Sequence, residues 1–280
     1  MNRRDHPLQV DGGLALWVTE WGDPAARPVV MLHGIRGYAE TFAGVAAALQ
    51  PDCRVIAFDQ RGRGRSDWDP ARQYYTDTYV RDLAAVADRL ELAAFDLLGH
   101  SMGGINAIVF ASRHPGRVRQ LVVEDAGPGA FEHSAGATRI QAELRDAPVS
   151  FDSWEAAERY MRQLRPSVTE AARQERLRSM LKPLPGGGFT WRHDHAGITA
   201  TRLAPDPARV VDLLPHVQAI ACPTLVVRGA RSDYLQPGMV ERMQALNPRI
   251  RSTEIQDAGH YVHDDQPQAF CAAVRGFLLG

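Results

Sequence analysis

The sequence predicts an α/β fold, a mostly parallel sheet with helices on both faces and a helical insertion ahead of the last two strands. Three observations carry this. Short apolar runs bounded by turn residues alternate with segments of helical periodicity, the pattern of strands joined by crossover helices. A buried run, a Gly-rich turn and a small-residue helix follow one another between Phe95 and Arg113. The alternation stops near Gly127 and resumes only after Leu203.

Leu14–Trp21 reads as an early strand, ended by Gly22-Asp23-Pro24. Pro28–Leu32 and Arg54–Phe58 are short and apolar without alternation, as strands covered on both faces are. Between them Ala39–Leu49 has a helical pattern, and after them Asp59-Gln60-Arg61-Gly62-Arg63-Gly64-Arg65-Ser66-Asp67 forms a Gly-rich polar loop. Thr76–Leu90 places Tyr79, Leu83, Val86 and Leu90 at helical spacing. Val118–Val123 is a further strand, ending at Glu124-Asp125. Trp154–Leu164 and Thr169–Leu181 are Arg/Glu-rich helices inside the insertion, followed by the breaker cluster Lys182-Pro183-Leu184-Pro185-Gly186-Gly187-Gly188, and no strong strand is expected there. The core pattern returns with a helix near Pro207–Leu214, a strand at Pro223–Arg228, a helix at Gly238–Leu246, a strand at Ile250–Ile255 and a closing helix at about Gln266–Leu279. The expected division is a core of residues 1–126 and 204–280 with a lid of residues 127–203.

Composition narrows the function. The chain has 280 residues, 45% hydrophobic, enough to bury a sizeable core. Its 32 basic and 33 acidic residues nearly cancel, leaving no electrostatic reason to bind nucleic acid or an anionic membrane. No stretch approaches the roughly 18 apolar residues of a membrane span, and the first residues lack the apolar core of a signal peptide. Cys53, Cys222 and Cys271 form no disulfide or zinc pattern, so a reduced cytoplasmic setting is expected, with a small-molecule substrate and a monomer or homodimer.

The chemistry centres on Gly99-His100-Ser101-Met102-Gly103. A G-x-S-x-G between a strand and a helix is a nucleophile elbow. The turn is tight enough that a Cβ at either flanking glycine would meet the neighbouring strand or helix, and the following helix aims its positive N-terminus at a developing oxyanion. Together with His33-Gly34-Ile35, the loop from Asp59 to Ser66, the segment from Gly229 to Asp233 and Gly259-His260, this order of motifs resembles the α/β-hydrolase-fold enzymes that carry a lid. That group spans carboxylesterases, lactonases, amide hydrolases, C–C bond hydrolases, epoxide hydrolases and haloalkane dehalogenases. The resemblance covers nearly the whole chain and implies a mostly parallel eight-stranded sheet. It specifies the fold far better than the substrate.

The resemblance implies roles. Ser101 is the nucleophile, which disfavours the members that use Asp at the elbow. His260 is the general base, with His263 its nearest rival. Asp233 is the acid that orients His260, because it falls at the usual family spacing; some relatives place the acid after the strand that follows the elbow helix, here Glu124 or Asp125. The oxyanion donors are the backbone N–H groups of Met102 and Ile35. Arg36, beside the second donor, is a possible contact for a substrate carboxylate, against the plainer reading of a solvated or ion-paired arginine. His33 and His100 are assigned scaffolding roles, and His193 and His195 the surface of the lid. The expected activity is cofactor-free and metal-free cleavage of a small to medium carboxylic ester, lactone or amide. The alternatives are C–C bond cleavage of a ring-fission product on the same triad, or a ligand receptor built on the hydrolase fold.

Overall fold

The structure is a computed structural model that describes residues 2–166 and 168–280. Its eight main strands are β1 (Arg3–Gln9), β2 (Ala15–Trp21), β3 (Arg27–Leu32), β4 (Cys53–Phe58), β5 (Phe95–His100), β6 (Val118–Glu124), β10 (Thr224–Gly229) and β11 (Ile250–Ile255). They lie in the order β1-β2-β4-β3-β5-β6-β10-β11. Strand β2 pairs antiparallel with both β1 and β4, and the other pairings are parallel, each parallel step using a crossover helix.

The strands β3 to β6 read as continuous apolar runs because both faces are buried. Along β3, Val30 and Leu32 face one core cluster while Val29 and Met31 face the other, the period-2 alternation of a pleated strand. The first cluster is closed by α2 (Thr76–Arg89), α3 (Met102–Arg113), α9 (Leu213–Ala219) and α10 (Pro237–Leu246). The second is closed by α1 (Ala43–Leu49), α11 (Val262–Asp265) and α12 (Pro267–Leu279). Fully burying an aliphatic side chain contributes about 1.5–3 kcal/mol, so the two layers fix which strands are central. Strand β1, Arg-Arg-Asp-His-Pro-Leu-Gln, has no apolar signature. It is an exposed edge strand, where charges and proline are tolerated, and it is held by its ladder to β2.

Between β6 and β10 the chain leaves the sheet and forms α4 (Ala130–His133), α5 (Ala135–Asp146), α6 (Trp154–Leu164), α7 (Glu170–Met180) and α8 (His195–Leu203). Four of these starts are fixed by side-chain caps: Ser134, Ser153, Thr169 and Asp194 each accept a hydrogen bond from a first-turn amide. The insertion also holds a three-stranded sheet of β7 (Ser150–Phe151), β8 (Leu181–Pro183) and β9 (Phe189–Trp191) in the order β7-β9-β8, which the sequence reading did not expect. These strands are two or three residues long, too short to show alternation. The supposed breaker at Leu184–Gly188 is their hairpin turn, closed by Leu184 N–H to the Gly188 carbonyl at 3.0 Å. Among the described residues no helix is long and apolar enough to cross a membrane.

Candidate active site

Ser101 sits between β5 and α3 with φ 53° and ψ −120°, a left-handed conformation that a non-glycine residue adopts only when its surroundings enforce it. Its flanks show why they are glycine. A Cβ on Gly99 would lie 2.3 Å from the Gly103 carbonyl oxygen, and one on Gly103 would lie 2.1 Å from that of Leu32. Ser101 occupies the N-cap position of α3, yet its hydroxyl caps nothing. Instead Oγ lies 2.9 Å from Nε2 of His260.

The other side of the imidazole overturns the expectation for the acid. His260 Nδ1 lies 2.8 Å from Oδ2 of Asp125, the residue just past the end of β6. Asp125 also has a left-handed backbone, φ 47°, which ends the strand and turns the side chain toward the base. Asp233 is not on the imidazole. Its carboxylate receives Nε and Nη2 of Arg139 at 2.8 and 2.9 Å, as a partly exposed ion pair with α5. The loop from Gly229 to Asp233 supports the acid rather than supplying it. The Ser232 hydroxyl donates to Asp125 Oδ2 at 2.6 Å, and the Gly229 N–H approaches Oδ1 at 3.4 Å.

Electrostatics follow from depth. Burial pushes the Asp125 carboxyl up to about 7, opposed by the Ser232 and Gly229 donors. Burial, reinforced by the cations Arg165 and Arg139, drives His260 well below its ordinary value, so the resting imidazole is neutral. A neutral ring with its proton on Nδ1, facing Asp125, presents a free lone pair to Ser101.

The loop carrying the base is held from beneath. His100 Nε2 donates to the His260 carbonyl at 3.0 Å, and burial holds His100 neutral at about 3. Glu124, one residue before Asp125, accepts the backbone N–H of His263 at 2.9 Å and its Nδ1 at 2.7 Å. Consecutive acids thus take histidines three residues apart, and the expected rival base is a clamp beneath the loop. Tyr234 packs against the His260 ring, centroids 4.4 Å apart. His100, Glu124 and His263 lie close enough to suggest a metal site. His100 Nε2 is engaged with the loop, and Glu124 with His263 Nδ1, which leaves one imidazole nitrogen on each histidine.

Ile35 and Met102 both lie beside Ser101, and all three line one narrow space of about 10 Å³. The Met102 amide opens α3 and so lacks an intrahelical acceptor. Gly34 is required next to Ile35, since a Cβ there would lie 2.8 Å from His100 Nδ1. His33 holds this loop as a scaffold. Its Nδ1 lies 2.8 Å from the Gly34 carbonyl and its Nε2 accepts from Gln60 N–H at 2.9 Å.

Sequence reasoning missed Arg63. This side chain is 1% exposed, and its guanidinium donates to the Ile35 carbonyl at 2.9 Å and the Tyr79 hydroxyl at 2.6 Å, while reaching Met102 Sδ at 3.4 Å. It braces both Ile35 and Met102, which line the space at the serine. Its signal was a run of arginines in a Gly-rich loop, where nothing distinguishes a buried arginine from a solvated one. Arg36 is largely buried and pairs with Glu143 of α5 at 3.3 Å. His193, expected on the surface, is buried against Trp191.

A sheet in this order, with a strained serine at the crest of β5 facing a histidine from beyond the last strand, is the architecture of an α/β-hydrolase. The chain belongs to the alpha/beta hydrolase fold family, whose family model matches residues 27–267. It is 34% identical over 252 residues to the 3-hydroxybutyrate-oligomer hydrolase of Cupriavidus necator, covering 86% of this chain and 85% of that protein. It is 30% identical over 261 residues to the sn-1-specific diacylglycerol lipase of Mus musculus, covering 92% and 82%. The solved structure of E-2-(acetamidomethylene)succinate hydrolase superposes with a TM-score of 0.86 at 26% identity, covering 99% of this chain and all of that one. These relatives support a hydrolase and leave its substrate open.

Proposed function

We propose that the protein is a serine hydrolase that cleaves a carboxylic ester, lactone or amide through an acyl-enzyme on Ser101. The observation that carries this reading is the continuous relay Ser101 Oγ–His260 Nε2 at 2.9 Å and His260 Nδ1–Asp125 Oδ2 at 2.8 Å. Ser101 passes its proton to Nε2 as Oγ bonds the substrate carbonyl carbon. Asp125 holds the tautomer and stabilises the imidazolium. The amides of Ile35 and Met102 receive the oxyanion. Collapse of the tetrahedral adduct expels the leaving group, which takes the proton from Nε2. Water, deprotonated by the same nitrogen, then attacks the acyl carbon and releases Ser101 and a carboxylic acid.

The insertion at residues 127–203 serves as the lid. Ala130, Ile140, Leu144 and Ile198 from it pack with Ile35, Met102 and Tyr234 over the serine. Ile105, Phe131 and Arg202, which line the narrow space at Ser101, also line a cavity of about 260 Å³, large enough for the acyl or alcohol part of a small substrate. The three free cysteines fit a reducing cytoplasmic setting.

The test is a fluorophosphonate probe followed by mass spectrometry. Labelling at Ser101, lost in Ser101→Ala together with turnover of a 4-nitrophenyl ester, is the expected result. Retained turnover in folded Ser101→Ala would refute the assignment.

A further inference from the structure

Resting on the hydrolase reading, we infer that the substrate carries a carboxylate, held by Arg165 of the insertion together with Arg36. A small cavity of about 50 Å³ lies between insertion and core, bounded on the core side by Gly34 and His100, the sequence neighbours of Ile35 and Ser101, and on the other by Arg165. Ser101 does not line it, but a Cβ on Gly34 would lie 3.4 Å from Ser101 Cβ. Its charged lining is Arg36, Arg165, Arg176 and Asp264. Arg176 and Asp264 form an ion pair with each other, and His263 also faces Asp264, so that carboxylate is taken. Arg36 gives Nη1 to Glu143, but its Nη2 is buried and makes no hydrogen bond. Arg165 has no carboxylate within ion-pair distance among the described residues. Its guanidinium lies over the ring of Tyr261, the residue after the base.

A guanidinium withdrawn from water without a counter-ion is unfavourable, and proteins rarely keep one unless something completes it. Arg165 is half-buried, and burial pulls it down to about 9 although Asp264 and Glu143 favour its charge. An anion entering here would gain Arg165 and the free Nη2 of Arg36 at once. Guanidinium forks match a planar carboxylate, and the cavity has room for a group of that size rather than for a long chain. The selected substrates are therefore hemiesters, acidic lactones or acidic amides whose carboxylate lies a few atoms from the bond cleaved.

The experiment compares mono-4-nitrophenyl glutarate with 4-nitrophenyl valerate, which have equal chain length and differ in the terminal charge. Rates are corrected for spontaneous hydrolysis. The ratio of kcat/KM for the two esters should fall at least about tenfold in Arg165→Gln and recover in part in Arg165→Lys, the scale of one charge-assisted hydrogen bond. Free glutarate should inhibit the wild type competitively and raise its Tm, while uncharged glutaramide should do neither. An unchanged ratio in folded Arg165→Gln overturns the proposal, as does equal or absent inhibition by glutarate and glutaramide in the wild type, which needs no variant. If the wild type turns over valerate but glutarate neither inhibits nor stabilises it, the subsite is wrong and the hydrolase reading stands. If neither ester is turned over but glutarate raises Tm in the wild type and not in Arg165→Gln, the subsite stands and the hydrolase reading fails.

Discussion

Nδ1 of His260 is hydrogen-bonded to Asp125, at the end of β6, and not to Asp233, at the end of β10. The two acids sit past the ends of neighbouring strands. The carboxylate on His260 is therefore one strand from Ser101 rather than two, and the loop after β10 supports it. The difference is testable. Asp125→Asn keeps the shape but removes the charge and the preferred tautomer, and kcat should fall on the order of 10³–10⁴-fold with the Tm little changed. Asp233→Asn should leave kcat within about threefold, because it breaks only a partly exposed pair to Arg139. Steady-state kinetics on one ester, with melting curves for both variants, decide between the acids.

The pH dependence follows from burial of the base. His260 is driven well below its ordinary value, and the base works only when neutral. Burial pushes its partner Asp125 the other way, up to about 7, so the first proton the pair takes up as pH falls removes the charge that orients the base. The acid limb of kcat/KM should therefore belong to the Asp125–His260 pair as a unit and should move below 6.5 in Asp125→Asn, where only the depressed His260 is left to titrate. A limb in the same place in both proteins would contradict the pairing.

Arg63 acts through backbone it never shares with the substrate. Arg63→Met removes the bonds to the Ile35 carbonyl and the Tyr79 hydroxyl. The loop bearing Ile35, one of the two proposed oxyanion donors, loses its brace, so kcat should fall on the order of 10²-fold with KM less affected. Each buried group left unsatisfied costs about 1–3 kcal/mol, so denaturant melts should show the loss too.

The Glu124–His263 pair is fully buried. Replacing one partner strands a buried charge, so Glu124→Leu or His263→Phe should each cost about 3–5 kcal/mol, and the double variant should cost less than either. Although burial opposes it, Glu124 and Asp264 hold His263 above its ordinary value. A raised folded-state value means the pair's contribution is fully present below pH 6.5 and fades as pH rises through the folded-state value. A double-mutant cycle run at low and high pH checks both the sign and the window. A coupling energy that grows with pH would show that His263 is neutral.

Gly103 is a steric requirement of the elbow. Gly103→Ala would drive a methyl into the Leu32 carbonyl, a backbone atom of a central strand that cannot move aside. The variant should fail to accumulate as folded protein, measured by soluble yield and circular dichroism. Gly44→Ala, where a Cβ meets nothing, is the matched control.

Much of this architecture was legible because the core strands are buried on both faces. Runs such as Pro28–Leu32 and Arg54–Phe58 have no other use for so many apolar residues in so short a span. Ser101 was legible for a local reason, since it is framed by glycines that the backbone geometry demands, whereas His260 follows a single glycine where a Cβ would make ordinary contact and was legible only from the order of motifs. Strand β1 and the sheet of the insertion were not, since an edge strand and two- or three-residue strands owe their form to partners distant in sequence.

The sequence by itself determined the sheet and the elbow and singled out Ser101 and His260 as the proposed nucleophile and base, because those depend on hydrophobic periodicity, on backbone conformations that only particular residues allow and on the order of motifs. Only the tertiary structure decided which carboxylate serves His260, which arginine is buried behind the oxyanion loop and which is left without a counter-ion. Asp125 and Asp233, or Arg63 and Arg165, are chemically identical as letters. They differ only in what the fold brings within about 3 Å of them and in how much water it removes.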